Sequence, residues 1–276
     1  MDIPLSQIIA IDNLQDYKIH FAVWNGTDDP LDVFVRDWEE WVGWNSWKGG
    51  WSSSKGGRND FNRTYVFSLI RFYPQPQKWL FGGIFEVLKR NTDSYVVELL
   101  DQGKEFIGRL LVQHPGPGVQ GRAFKMENYF TDLNVSQILE HRYEGEAFCG
   151  ADAIVHGFSQ LEAIFTQSKS DWKSALENVK GVYLITDTSN GKMYVGSAYG
   201  DTGIWSRWSC YIDSGHGWNE GLKEEIKKHG LDYARKNFQF SVLEIFTMKT
   251  DDQFIIDREQ HWKSALLTRT FGYNKN

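Results

Sequence analysis

Residues 181–196 read Gly-Val-Tyr-Leu-Ile-Thr-Asp-Thr-Ser-Asn-Gly-Lys-Met-Tyr-Val-Gly: two short apolar runs joined by a polar turn, each interrupted by one tyrosine. Asn190-Gly191 supplies the turn, because tight hairpin turns need positive φ and these two residue types accept it. In an antiparallel hairpin with a loop of even length, paired positions sum to an odd number. The sum of 183 and 194 is odd, so Tyr183 and Tyr194 are predicted to project from one face, which Gly181 and Gly196 share. The opposite face collects Val182, Leu184, Met193 and Val195 as ordinary core residues. One side of the hairpin is therefore expected to pack, while the other carries two phenols beside two positions without side chains.

The residues that follow continue in a definite order. Arg207 and Tyr211 are four apart, which places them on one face of a helix. Asn219 to Gly230 reads as a second helix, with Asn219 as N-cap, Leu222 and Ile226 as its buried stripe and Gly230 as its stop. Phe238, Phe240 and Val242 alternate as one face of a strand. Ile255, Glu259, Trp262 and Leu266 recur at helical spacing, which sets a carboxylate in the middle of an apolar stripe. An unpaired buried carboxylate costs several kcal/mol, so Glu259 needs a partner: Arg207, Lys263 one turn on, or a metal ion.

Taken together, these motifs resemble the GIY-YIG nuclease family, with Gly181-Val182-Tyr183 and Tyr194-Val195-Gly196 as the two named triplets, followed by Arg207 with Tyr211, by Glu259 and by Asn274 in Gly272-Tyr-Asn274. The resemblance spans residues 179 to 276. It implies a small three-stranded antiparallel sheet flanked by helices, and hydrolysis of phosphodiester bonds. It assigns Tyr183 as general base, places Tyr194 and Tyr211 around the scissile phosphate, gives Arg207 the clamp on a phosphate oxygen and makes Glu259 the metal ligand. Asn274 would hold the catalytic end by hydrogen bonds to backbone or substrate. One carboxylate, waters and a substrate phosphate suit Mg2+, or Mn2+ in its place. A free phenol, with its pKa near ~10, is a poor base, so a neighbouring cation is required beside Tyr183. Excision-repair relatives carry lysine just after the second triplet; this chain has the neutral Ser197.

With 276 residues, two domains are the natural expectation. The 41% hydrophobic and 24% charged composition is that of an ordinary globular protein. No apolar run approaches the ~18–20 residues that span a bilayer, and the start lacks the features of a secretory signal, so a cytoplasmic protein without a membrane partner is expected. Cys149 and Cys210 lack Cys-x-x-Cys spacing, which argues against a disulfide framework or a zinc site. His216, His229 and His261 have no metal-ligand spacing, although His216 lies in a Gly-rich loop where it could touch a phosphate. Net charge is −6, so binding to a phosphate backbone must use local patches rather than a general positive field.

The whole chain is expected to be α+β: a β-rich, barrel-like domain over residues 1–155, a helical connector over 156–178 and the nuclease domain over 179–276. In the first part, Tyr17–Trp24, Tyr65–Phe72, Trp79–Val87, Tyr95–Leu100 and Phe106–Val112 read as strands, punctuated by Pro74-Gln-Pro-Gln77 and His114-Pro-Gly-Pro-Gly118. Trp38, Trp41, Trp44, Trp47 and Trp51 form a stripe, helical as far as Trp44. A nuclease module positioned by phosphates reads little sequence, so this part is the expected selector. Arg58, Asn59, Arg71, Trp79, Arg109, Arg122 and Lys125 are its candidate DNA-binding residues, and its aromatics suit a pocket for a flipped-out base. The segment faintly resembles PUA-like modified-base readers. The sequence thus points to a metal-dependent endonuclease of restriction or defence type acting on double-stranded DNA, modified or not, as a monomer or a dimer formed on DNA. A partner-recruiting protein with an idle nuclease fold, and a repair or homing nuclease, are the alternatives.

Overall fold

A buried carboxylate fixes where the hairpin turns. Asp187 is fully buried, and its two oxygens accept hydrogen bonds from the Ser189 hydroxyl at 2.6 Å, Tyr273 at 2.6 Å, Tyr233 at 2.7 Å and the Asn190 amide at 3.0 Å. These donors hold its carboxyl below the usual range although burial pushes it up. Gly191 takes the positive φ of 76° that the turn requires. The computed structural model describes residues 3–48, 59–119, 121–201 and 203–276, which divide into one unit ending at Tyr143 and a second starting at Glu144.

In the first unit, the strands are β1 (Ile3–Pro4), β2 (Tyr17–Ala22), β3 (Tyr65–Arg71), β4 (Lys78–Arg90), β5 (Tyr95–Leu99), β6 (Leu110–Gln113), β7 (Ala123–Lys125) and β8 (Asn134–Ile138). They form one eight-stranded sheet in the order β1-β8-β6-β4-β3-β2-β7, with β5 on β4. Among the described residues the ends of this sheet, β1 and β7, do not pair, so the expected barrel-like closure is absent. β2 and β3 are parallel. Parallel neighbours need a crossover, and it contains α1 (Pro30–Arg36) and α2 (Trp38–Ser46), started by the side chains of Asp29 and Asp37. Trp41 of α2 is fully buried and donates its indole N–H to the Gly82 carbonyl at 2.9 Å. A Cβ at Gly82 would lie 2.5 Å from that indole, so glycine is what lets the helix approach β4. Beside it, buried His20 pairs through Nδ1 with Asn45 at 3.0 Å and Ser68 at 3.1 Å.

The second unit contains β9 (Val155–Gly157), α3 (Phe158–Thr166), α4 (Ser170–Leu176), β10 (Val179–Asp187), β11 (Met193–Ala198), α5 (Gly203–Ser214), α6 (Glu220–His229), α7 (Leu231–Asn237), β12 (Phe238–Thr247), α8 (Asp252–Ala265) and α9 (Thr268–Phe271). Its sheet is antiparallel in the order β11-β10-β12-β9, one strand more than expected. The segment read as a connector belongs to this unit: β9 pairs with β12, and Phe158, Leu161, Trp172 and Leu176 lie in the same core as Tyr183 and Trp208. The boundary therefore falls near residue 143 rather than 155. Asn219 caps α6 through Leu222 N–H at 3.2 Å, and Gly230 ends it. No helix among the described residues is long and apolar enough to cross a membrane, and Cys149 and Cys210 are free thiols.

Both faces of the sheet are packed. Tyr183 pairs with Gly196 and Tyr194 with Ile185, so the phenols do share a face, but that face meets the larger core. The other face meets Ile255, with Trp262 and Leu266 packed around it.

The first unit carries a titration signature. Burial, with Arg122 nearby, depresses the His20 pKa from 6.5 to about 3, so the folded unit refuses a proton that the unfolded chain accepts. Stability is full above pH 6.5 and declines as pH falls towards about 3, at roughly 1.4 kcal/mol per pH unit. Urea unfolding followed by tryptophan fluorescence is expected to shift to lower midpoint between about pH 7.5 and about pH 5.5. His20→Gln is expected to flatten that dependence; an unchanged slope rules His20 out as its source.

Candidate active site

Gly196 makes room for a phenol. A Cβ there would sit 2.5 Å from the Tyr183 hydroxyl oxygen, so the Tyr183 ring lies flat across its directly paired neighbour only because that neighbour is glycine. Gly181 is equally constrained, since a Cβ would meet the Glu244 carbonyl at 2.6 Å and Ile204 of α5 at 2.7 Å. Close approach of α5 then brings Arg207 and Tyr211, one turn apart, onto Tyr183. Arg207 Nε donates to the Tyr183 oxygen at 3.1 Å, Arg207 Nη2 donates to the Tyr211 oxygen at 3.1 Å, and the two hydroxyls are 3.0 Å apart. Gly217 plays a similar part below Tyr211, whose ring a Cβ would meet at 2.5 Å.

Burial sets the electrostatics of this triangle. Tyr183 and Tyr211 are wholly inaccessible, and desolvation pushes both phenols above their ordinary value; Arg207 pulls the other way without offsetting it. The cation expected beside Tyr183 is thus Arg207, yet the phenol it meets is protonated and acts as an acceptor. A planar guanidinium fixed along its Nε–Nη2 edge retains the Nη1 donors for a third partner.

That partner's place is a cavity of about 420 Å3 along the free edge of β11. Tyr194 and Arg207 line it from one face of the sheet, and Ser197 and Glu259 from the other. Glu259, 9% exposed, accepts from the Ser197 hydroxyl and forms an ion pair with Lys263 at 2.8 Å. Lys263 is itself 1% exposed and donates to Asn276 at 2.9 Å. The partner demanded by a carboxylate in an apolar stripe is therefore the lysine one turn on. Ser197, noted in the sequence merely as a missing cation, orients that carboxylate, which its residue type alone does not reveal.

Asn274 does not reach the cavity. It is buried, and its side-chain amide accepts from Val195 N–H and donates to Val195 C=O, both at 2.9 Å, as a strand would. With Tyr273 N–H on the Met193 carbonyl at 2.9 Å, the C-terminal segment covers the first half of the β11 edge and leaves the second half open. Among the described residues no three His, Cys, Asp or Glu side chains are grouped to hold a metal. Glu259 is the carboxylate on the described lining, and each of its oxygens keeps lone-pair capacity beyond Ser197 and Lys263, so the donor set fits a cation held largely by water and substrate.

The remaining predicted residues are dispersed. His216 is half-buried, its Nδ1 accepts from Trp218 N–H at 2.9 Å, and it does not line the cavity. Arg58 lies outside the described residues. Asn59 accepts from Tyr95 at 3.5 Å, and Arg71 pairs with Asp29 at 2.7 Å. Trp79 is buried core, bonded to the His114 carbonyl at 2.9 Å, as are Leu80, Phe81, Ile84 and Phe85 of the same strand. Arg109 is engaged by the Leu139 and Glu105 carbonyls at 2.9 and 3.2 Å, and Arg122 by the Trp47 and Trp44 carbonyls at 2.6 and 3.2 Å. Arg109 precedes β6, while Arg122 and exposed Lys125 belong to the β7 region, with β4, β3 and β2 between. The expected basic patch of Arg109, Arg122 and Lys125 is therefore not one surface; the charges went to backbone carbonyls that needed donors.

No family model matches the chain. It is 34% identical over 94 residues to intron-associated endonuclease 1 of Enterobacteria phage T4, an alignment that takes in 34% of this chain and 36% of the relative, so the chain spans about a third of that protein's length. Two solved structures are similar. The catalytic domain of homing endonuclease I-TevI is 33% identical, with 34% of this chain and 96% of that domain covered and a TM-score of 0.27. A single-substitution mutant of the catalytic domain of intron endonuclease I-TevI is 30% identical, with 36% and 94% covered and a TM-score of 0.29. Agreement in sequence over nearly all of that domain, joined to the order of the motifs, places the C-terminal third of this chain in the GIY-YIG nuclease family.

Proposed function

We propose that this chain is a DNA endonuclease that hydrolyses a phosphodiester bond in the cavity beside β11, with the first unit selecting the target. The observation that carries this reading is the convergence of Tyr194, Arg207 and Glu259 on one cavity, with Arg207 held by two buried phenols. The relative it matches is itself an endonuclease.

The chemistry follows from what faces the cavity. Arg207 clamps a non-bridging phosphate oxygen and stabilises the charge that builds as water attacks phosphorus and the leaving oxygen departs. Glu259 would hold Mg2+ or Mn2+, which supplies charge neutralisation on the phosphate when bound. Of the three phenols, Tyr194 lines the cavity and is placed to exchange a proton with the attacking water or the leaving group. Tyr183, the base implied by the family resemblance, instead orients Arg207 in this arrangement. One cavity cuts one strand, so a double-strand break requires two protomers on DNA or two successive nicks.

Selection of a modified base, as in a restriction enzyme, is the finer part of the proposal. The intron association of the relative favours a second reading, cleavage at the insertion target of a mobile element. Purified protein is to be incubated with Mg2+ and unmodified, methylated or hydroxymethylated DNA, and the cut ends sequenced. Cleavage confined to one modified form supports the restriction reading, a long specific site on unmodified DNA supports the mobile-element reading, and no cleavage of any form overturns the enzyme.

Two sets of variants separate the roles. Glu259→Gln alone leaves Lys263 buried without its partner and is expected to lower stability by about 3 kcal/mol. Glu259→Gln with Lys263→Met is expected to regain much of that stability in thermal unfolding, yet to remain inactive in metal-dependent cleavage while still binding DNA; recovered cleavage removes Glu259 from the reaction. Tyr194→Phe is expected to lower kcat by roughly 10²–10⁴-fold, against about 10–100-fold for Tyr183→Phe. The reverse ranking returns the base to Tyr183.

A further inference from the structure

The first unit has a second cavity, of about 230 Å3, at the end of β2, whose lining includes His20, Trp24, Asn25, Trp44, Trp47 and Arg122. We propose that it receives one unstacked nucleobase of DNA that presents an N–H group on its ring edge. The proposal rests on the endonuclease reading for its ligand being DNA, and on three features of the cavity for the base.

The walls are aromatic faces that the protein leaves uncovered. Trp24, just after β2, and Trp47, just after α2, are 55% and 56% exposed, although Trp41 of α2 is completely buried. Arg122 is fixed by the carbonyls at the end of α2 and lies over the Trp47 ring at 5.4 Å and the Phe61 ring at 4.4 Å. Its charge is thus immobilised beside the surfaces on which a heterocycle would stack.

The polar groups are of the kind that reads a base edge. His20 is 1% exposed and neutral at ordinary pH. The Asn45 side-chain oxygen, which also receives the Ser68 hydroxyl, lies 3.0 Å from His20 Nδ1. Two bare acceptors at that distance repel, so the proton is on Nδ1 and Nε2 is left as an acceptor. The hydrogen bonds of His20 among the described residues both run through Nδ1, which leaves Nε2 to the cavity that His20 lines. Asn25 spends its oxygen on the N–H groups of Thr27 and Asp28, at 2.8 and 2.9 Å, which leaves its amide N–H2 as a donor. The cavity therefore offers one neutral acceptor and one donor, the pairing that a nucleobase edge answers. An acceptor that a ligand covers without answering is costly, so a ligand without a matching N–H is rejected.

Size completes the argument. At ~30 Å3 per water, a cavity of about 230 Å3 holds some eight waters, the scale of one ring system rather than a dinucleotide or a peptide segment.

The test needs no knowledge of the recognised sequence. Full-length Glu259→Gln/Lys263→Met protein is titrated with two duplexes of one sequence, one fully paired and one carrying 2-aminopurine in a single-nucleotide bulge, where the base is already out of the stack and extrusion costs little. Expected are about tenfold or tighter binding of the bulged duplex, quenching of 2-aminopurine emission, and loss of both with Trp24→Ala but not with Trp24→Phe. Equal affinity for the two duplexes, or a preference that Trp24→Ala leaves intact, overturns the assignment, including the case in which the cavity serves a protein partner. Plasmid nicking by the wild-type protein is scored in parallel. Nicking without base preference rejects the cavity and spares the nuclease, and base preference without nicking does the reverse.

Discussion

Arg207 is a cation held by two phenols that water does not reach, and the second unit is arranged around that fact. Two glycines on the hairpin give the Tyr183 ring and α5 their positions, α5 brings Arg207 and Tyr211 to meet it, and Gly217 gives Tyr211 its own clearance. An arginine on a surface must give up its rotamer freedom to hold a ligand; one fixed along its Nε–Nη2 edge has already lost that freedom in folding. The geometry explains why tyrosines rather than carboxylates surround it. A carboxylate would neutralise the guanidinium, whereas a buried phenol accepts its hydrogen bonds and leaves its charge uncompensated on the cavity wall.

The acidic side of the cavity follows a different rule. Glu259 and Lys263 are both buried, and neither tolerates loss of the other. The pair holds the carboxylate in place, with Ser197 on its second oxygen. The charges that line the cavity are thus prearranged from opposite faces of one strand, and β11 serves as the wall between them.

Much of this was legible because side-chain alternation is strict. The parity that places Tyr183 and Tyr194 on one face holds for any register of even loop length, and Lys263, the partner Glu259 takes, was one of the three that the stripe left open. What the sequence concealed was competition among packed surfaces. Tyr183 reads as exposed because it interrupts an apolar run, but the helices 158–166 and 170–176, which look like a linker, supply the apolar cover that buries it. In the first unit, Arg109 and Arg122 read as phosphate ligands, whereas each satisfies backbone carbonyls left over by the fold. Composition cannot distinguish these uses. Tryptophans divide likewise: Trp41 and Trp79 fill the core, Trp24 and Trp47 face a cavity, and only three-dimensional pairing separates them.

Asn274 completes the ladder of β11 with a side chain instead of a strand. Until residue 274 has left the ribosome, the strand that bears Tyr194 presents bare amide and carbonyl groups, a template for association with another chain. Translation from the N-terminus therefore completes the first unit well before the edge that bears Tyr194 is covered, so protection of that edge against pairing with another chain comes late in synthesis.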